Sequence, residues 1–278
     1  MRSRQMARMS ESPIHRTFNE LGHNAILYRY PSGDMDIICS SSGGFGLDGW
    51  EESDGRSQQQ TKPAKREKGK KSDGEDMVRS MRRAKANLRR LALANSFDFF
   101  VTLTFDPKKV DSFSADAVSK ALNGWLSNMV RRRELRYVLV PELHPKSGRI
   151  HLHGFFSGEL DLVDSGHTSC GKPVYNLPQW GYGFSTALEI DGDYSAAVGY
   201  ICKYIGKDTQ QRIMGRWYYS GGRLEKPVKE YIDLDYREAV DDWCFIGPLE
   251  KGQKWQGMVA DIPGSKLLII HTKQEEKP

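Results

Sequence analysis

Apolar residues between positions 76 and 206 recur at the spacing of helices and strands in turn. Met77, Met81, Leu88 and Leu91 form one helical stripe, and the aromatic and β-branched run "FDFFVTLTF" is typical of a buried strand. The same criteria predict helices over residues 76–95, 114–133 and 194–206, and strands over residues 97–105, 136–143 and 150–156. The order strand, helix, strand, strand, helix predicts an α+β domain with a central antiparallel sheet.

The segments between these elements carry turn and cap residues. "HPKSGR" joins the second and third strands and predicts that they form an antiparallel hairpin. Ser114 or Asp116 is placed to cap the second helix, and Asp193 to cap the third. Residues 157–192 predict a long irregular insertion with a further strand at its end, and "GRWYYSGG" and "DWCFIG" predict two short strands.

The outer parts of the chain have weaker patterns. Residues 1 to 55 are polar and rich in Gly and Ser, and residues 56–75 contain no apolar residue except Ala64. The sequence therefore predicts a polar N-terminal extension with a basic linker over residues 1–75, a central domain over residues 76–225 and a C-terminal extension over residues 226–278.

Composition sets broad limits on the class of protein. The 278 residues are 38% hydrophobic, which is enough for one sizeable core, and 41 Lys and Arg against 36 Asp and Glu give a net charge of +5. That mild excess favours an anionic partner only where basic residues cluster. The four cysteines form no C-x-x-C pair, no signal peptide is recognisable, and no apolar run has the roughly 20 residues that cross a bilayer. We expect a cytosolic protein with reduced thiols and no membrane-spanning segment.

Basic residues cluster on the first predicted helix. The alternatives for them are a solvated polar face and a surface that contacts phosphates. The candidate DNA-binding residues are Arg79, Arg82, Arg83, Arg89 and Arg90.

A second cluster predicts a metal site on the hairpin. His151 and His153 in "IHLHG" are two positions apart on a strand, so both imidazoles leave the same face while Leu152 points into the core. Glu142 on the preceding strand falls roughly opposite them, and His144 is an alternative or additional ligand. These groups can hold Mg²⁺ or Mn²⁺ with open positions for a phosphate oxygen. The alternatives are solvated histidines and a surface ion pair between Glu142 and Arg149.

The stretch "YICKYIGK" contains Tyr-x-x-Lys twice. On a helix, Tyr200 and Tyr204 are neighbours one turn apart, with Lys203 and Lys207 beside them. A phenol with a pKa of about 10 needs a nearby cation or an activated phosphate to act as a nucleophile. The alternative is that both tyrosines simply belong to the core.

In chain order, "FVTLTF", "PELHPKSGRIHLHG" and "YICKYIGK" resemble the three motifs of the HUH endonuclease superfamily, which includes rolling-circle replication initiators. The second motif supplies His151 and His153 with Glu142 nine residues before, as in the Glu-bearing branch. The doubled third motif is similar to the two-tyrosine type of single-stranded DNA phages. The resemblance covers roughly residues 76–225 and implies a ferredoxin- or RRM-like fold with the tyrosine helix facing the histidines.

The resemblance also implies the chemistry. A metal at His151, His153 and Glu142 would polarise a phosphate at a single-stranded replication origin. Tyr200 would attack that phosphate, giving a 5′-phosphotyrosine and a free 3′-OH, and Tyr204 would serve a second cut. No G-x-x-x-x-G-K-[ST] motif is present, so we expect a host helicase and polymerase in a bacterial cytoplasm.

Two rival functions remain at this stage. A transposase or relaxase would use the same chemistry on a different DNA element. A non-catalytic protein that binds single-stranded nucleic acid would use the basic helix and aromatic residues, but it would leave the paired histidines and the doubled Tyr-x-x-Lys without a role.

Overall fold

The computed structural model of the chain describes residues 23–41, 74–207, 212–234, 255–262 and 265–272. The chain divides into two compact units, one comprising Glu67–Lys226 and the other Met1–Arg66 together with Pro227–Pro278. The described residues form three helices, α1 (Gly74–Leu93), α2 (Ala115–Arg133) and α3 (Tyr194–Tyr204). They also form the strands β1 (Ala25–Arg29), β2 (Met35–Ser40), β3 (Phe99–Leu103), β4 (Arg136–Leu143), β5 (Ile150–Ser157), β6 (Val163–Ser169), β7 (Lys172–Asn176), β8 (Ser185–Glu189), β9 (Tyr219–Gly221), β10 (Val228–Ile232), β11 (Trp255–Ile262) and β12 (Ser265–Thr272).

The Glu67–Lys226 unit is built on one antiparallel sheet of seven strands in the order β6-β7-β8-β3-β5-β4-β9. With its three helices this confirms the predicted α+β class and the central antiparallel sheet. The predicted hairpin is also confirmed, because β4 and β5 pair over their whole length with Glu142 opposite His151. The centre of the sheet is therefore formed by β3 and β5.

The two faces of this sheet carry different helices. On one face, α2 buries Val118, Leu122 and Trp125 in a core that includes Leu103 and Leu152. The other face carries the side chains of His151 and His153, and α3 packs against β4 and β5 on that side. Leu152 is fully buried, as its alternation with the two histidines predicted.

Helix caps explain where two of the helices begin. Ser114 rather than Asp116 caps α2, and its hydroxyl accepts a hydrogen bond of 3.2 Å from the backbone N–H of Ala117. The carboxylate of Asp193 accepts one of 3.0 Å from Ala196 at the start of α3. Gly206 follows α3 with a positive φ of 68°, a conformation that glycine adopts without steric cost.

The prediction for residues 157–192 was partly wrong. They include the hairpin β6–β7 as well as the expected strand β8. The sequence "VDSGHTS" of β6 is exposed along almost all of its length, so it lacks the apolar alternation that marks a half-buried strand. The strand expected in "GRWYYSGG" is confirmed as β9, whereas "DWCFIG" lies outside the described residues.

The second unit contains a five-stranded antiparallel sheet in the order β10-β1-β2-β12-β11. Its core includes Leu27, Ile37, Leu268 and Ile270. Strands β1 and β2 lie in a stretch for which the sequence pattern predicted only a polar extension, and the division at residues 75 and 225 stays a prediction. None of the described helices is long and apolar enough to cross a membrane.

Candidate functional site

The candidate site lies where α3 packs on the hairpin β4–β5. Glu142 is buried, with 7% of its surface exposed, and its carboxylate contacts two nitrogen groups. Its Oε2 lies 2.7 Å from His153 Nε2, and its Oε1 lies 2.7 Å from Lys207 Nζ. A buried carboxylate needs compensating charge, and the Lys207 ammonium provides it. The ion pair between Glu142 and Arg149 that the sequence left open is not formed.

His153 is held by a hydrogen bond on its other nitrogen. Its Nδ1 lies 3.0 Å from the hydroxyl of Thr102, on the neighbouring strand β3. Burial lowers the pKa of His153, so the neutral ring is favoured near pH 7. Its Nε2 is buried and makes no hydrogen bond, because the approach to Glu142 is close but not aligned for one. A lone pair held against a carboxylate oxygen is an arrangement that a bound cation would stabilise.

His151 and His144 form a second imidazole pair. Their ring centroids are 5.0 Å apart, and His144 Nδ1 accepts a 3.2 Å hydrogen bond from the backbone N–H of Ser147. Burial and the neighbouring imidazoles of His144 and His153 lower the pKa of His151. Within the described residues, no three His, Cys, Asp or Glu side chains converge as they would around one metal ion. Glu142 and His153 meet, while His151 lies beside His144.

The tyrosines of α3 are not its core residues. Val198, Ile201 and Ile205 form the buried stripe, each at most 1% exposed. Tyr200 is 49% exposed and Tyr204 is half-buried, so the doubled tyrosine follows helical spacing on a different side of α3 from the stripe. The interpretation that both tyrosines belong to the core is therefore wrong.

The two phenols contact each other and the strand histidine. Tyr204 donates a 2.8 Å hydrogen bond to the hydroxyl oxygen of Tyr200. The ring of Tyr204 stacks on His153 with centroids 4.2 Å apart, and the ring of Tyr200 lies 5.7 Å from Phe100 on β3. Burial and the hydrogen bond to Tyr200 raise the pKa of Tyr204. The pair is thus asymmetric, with an exposed acceptor and a more buried donor.

The two lysines of the repeated unit have different surroundings. Lys207 Nζ lies 5.3 Å from the centroid of the Tyr204 ring and is held by Glu142. Lys203 Nζ lies 6.0 Å from the centroid of the Tyr200 ring and makes no ion pair with any described residue. The ammonium of Lys203 is therefore available to an anionic ligand beside the exposed phenol.

The arginines of α1 do not all lie on the surface. Arg79, Arg82 and Arg83 are exposed, and Arg89 is half-buried, whereas Arg90 is only 8% exposed. Burial removes Arg90 from a surface that could contact phosphates. The helix itself packs against α3.

Two features of the site were missed from the sequence. Thr102 lies in "FVTLTF", and only the register of β3 against β5 shows that it meets His153. A pocket beside Glu142 and Lys207 is also lined by Arg216 and Trp217 from the segment after α3. Neither Arg216 nor Trp217 has a sequence spacing that links it to the histidines.

Comparison with known proteins gives one match. No curated protein and no solved structure matches the chain. Residues 98–209 match a family of replication-associated proteins, described as Replication-associated protein ORF2. The matched segment includes Thr102, Glu142, His153 and the doubled Tyr-x-x-Lys. The part of the chain that holds the candidate site is therefore similar to replication-associated proteins.

Proposed function

We propose that this protein initiates rolling-circle replication by nicking and rejoining single-stranded origin DNA through a tyrosine. The observation that carries the proposal is the contact between the doubled Tyr-x-x-Lys of α3 and the Glu142–His153 pair of the hairpin. The similarity of residues 98–209 to replication-associated proteins supports the biological setting. A protein that only binds nucleic acid would have no need for this juxtaposition.

Tyr200 is the better placed of the two nucleophiles. Its hydroxyl is on the exposed side of the pair and already accepts a hydrogen bond from Tyr204, which would stabilise a developing phenolate. Attack forms a bond from the Tyr200 oxygen to phosphorus and breaks the bond from phosphorus to the 3′-oxygen. The phenolic proton is lost to solvent and the departing 3′-oxygen takes one up, so the exchange of esters is balanced. Reversal of the step rejoins the strand.

A divalent cation fits the donors of the site in part. Glu142 Oε2 and His153 Nε2 are 2.7 Å apart, close to the ~3 Å between adjacent ligands of an octahedral Mg²⁺. We assign Glu142 and His153 as two ligands and His151, with His144 as an alternative, as the third. When bound, Mg²⁺ or Mn²⁺ would polarise the phosphate. Lys203 would add positive charge beside Tyr200.

The test is a search for the covalent product. The purified chain is incubated with labelled single-stranded oligonucleotides that tile the DNA element encoding it, with Mn²⁺ present and in a parallel sample with EDTA. We expect one oligonucleotide to yield an adduct that survives denaturing electrophoresis, and EDTA to abolish it. Peptide mapping should place the attachment at Tyr200 or Tyr204. Absence of any adduct across the whole tiling, with binding retained, would favour the non-catalytic alternative.

A further inference from the structure

Arg149 is a cation next to the candidate site that has no acidic partner among the described residues. It precedes β5 and lies two positions before His151, so it shares that residue's face of the sheet at a distance of about 7 Å along the strand. No described carboxylate lies within ion-pair distance of it, and its Nε is buried without a hydrogen bond. A guanidinium that is partly removed from water gains most from an anionic ligand.

The backbone around Arg149 is fixed. The carbonyl of Arg149 accepts a 2.8 Å hydrogen bond from His144, and Ile150 donates one of 2.9 Å to Ser112. Gly148 supplies the positive φ, 68°, that closes the turn before it. The side chain therefore starts from a rigid hairpin end, which reduces the entropy lost when it binds a ligand.

An exposed aromatic ring lies against Arg149. Its guanidinium carbon is 5.9 Å from the centroid of the Phe113 ring, and Phe113 is 61% exposed. An apolar residue just before a helix cap often packs on the first turn of the helix, but that degree of exposure leaves most of the phenyl surface in water. The backbone N–H of Phe113 donates to Asp111 at 3.0 Å, so the exposed ring has a firm base.

We propose that Phe113 and Arg149 form a binding site for one nucleotide of single-stranded DNA beside the cleaved bond. The base stacks on the Phe113 ring, and the guanidinium of Arg149 binds the adjoining phosphate. This inference rests on the proposed function for its position relative to the cleaved bond. A planar guanidinium next to an aromatic face suits both parts of a nucleotide, whereas a membrane surface or a protein partner would need a larger apolar area.

The first experiment measures binding without cleavage. In EDTA, the affinity for a fluorescent dT oligonucleotide of about 20 nucleotides is determined over a range of salt concentrations. Arg149→Gln should reduce the affinity severalfold and lower the slope of log affinity against log salt by about 0.7, the value for one single-strand phosphate. Phe113→Leu keeps an apolar side chain but removes the stacking face, and should reduce the affinity about tenfold with the slope unchanged. Lys120→Gln removes one exposed charge from α2 on the opposite face of the sheet and is the matched control.

Two further measurements guard against misfolding. Thermal unfolding of each variant should match the wild-type chain, and Arg149→Lys should restore the salt slope. The wild-type chain is also photo-crosslinked to the same oligonucleotide carrying 5-iododeoxyuridine, and we expect attachment at Phe113. Affinity and salt slope equal to those of Lys120→Gln, or crosslinks that avoid the segment around Phe113, would overturn the inference.

The outcomes separate this site from the proposed function. Weaker binding by Arg149→Gln in a chain that forms no adduct would support the nucleotide site while rejecting nicking. An adduct in the wild-type chain with unchanged binding by both variants would do the reverse.

Discussion

At the scale of single residues, the phenols of Tyr200 and Tyr204 differ in exposure and in hydrogen bonding. Tyr200 accepts and is 49% exposed, while Tyr204 donates and stacks on His153. Loss of either hydroxyl by mutation to Phe leaves the ring and the helix intact. The two substitutions therefore test chemistry rather than folding.

We expect Tyr200→Phe to lower adduct formation at least tenfold, with the remaining product attached to Tyr204. Tyr204→Phe should lower it less, because the exposed nucleophile remains but loses a hydrogen bond of about 1 kcal/mol. The double mutant should form none. Adduct yield with peptide mapping checks this, and a full yield from the double mutant would contradict the assignment.

At the scale of elements, the hairpin β4–β5 places Glu142 opposite His151 and beside His153. Gly154 follows His153, and a Cβ on it would overlap the carbonyl oxygen of Val138 on β4. The two strands can approach each other at this point only because residue 154 lacks a side chain.

Gly154→Ala should therefore force the strands apart and destabilise the protein by about 2 kcal/mol or more. Gly199→Ala is the control, since its Cβ would meet nothing within 4 Å and α3 would gain about 0.5–1 kcal/mol from the change. Denaturant unfolding gives both values. Equal stability of the two variants would show that the strands can adjust at residue 154.

The sequence predicts most of these elements because their apolar residues keep a regular period. The stripe on α2, the cap at Ser114 and the turn between β4 and β5 are all local features. The contacts of the candidate site depend on register and rotamers, which are not local. The spacing of His151 and His153 predicted a shared metal, yet His151 turns to His144 and Lys207 occupies one side of Glu142.

At the scale of the whole molecule, positive charge lies away from the catalytic pair as well as beside it. Arg79, Arg82 and Arg83 are exposed on α1, which packs against the tyrosine helix α3. Arg79 makes an exposed 3.4 Å ion pair with Asp76, an interaction that contributes little to stability. These three side chains can therefore be changed without a large effect on folding.

Replacing all three by Gln should weaken binding of single-stranded DNA and reduce its salt slope by about 2, at about 0.7 for each phosphate that is no longer neutralised. Adduct yield at saturating DNA should stay unchanged, because none of the three contacts Tyr200. Fluorescence anisotropy across a salt series measures the slope. A slope equal to that of the wild-type chain would mean that these arginines form only a solvated face.

The hydrogen bond between the two tyrosines gives the reaction an internal order. While Tyr200 is free, its oxygen engages the hydroxyl of Tyr204. Once Tyr200 carries DNA, that oxygen is part of a phosphodiester and is a much weaker acceptor. The hydroxyl of Tyr204 is then released at the moment when a second nucleophile is required. Under the proposed function, the first cut would thus act as the signal that arms the second.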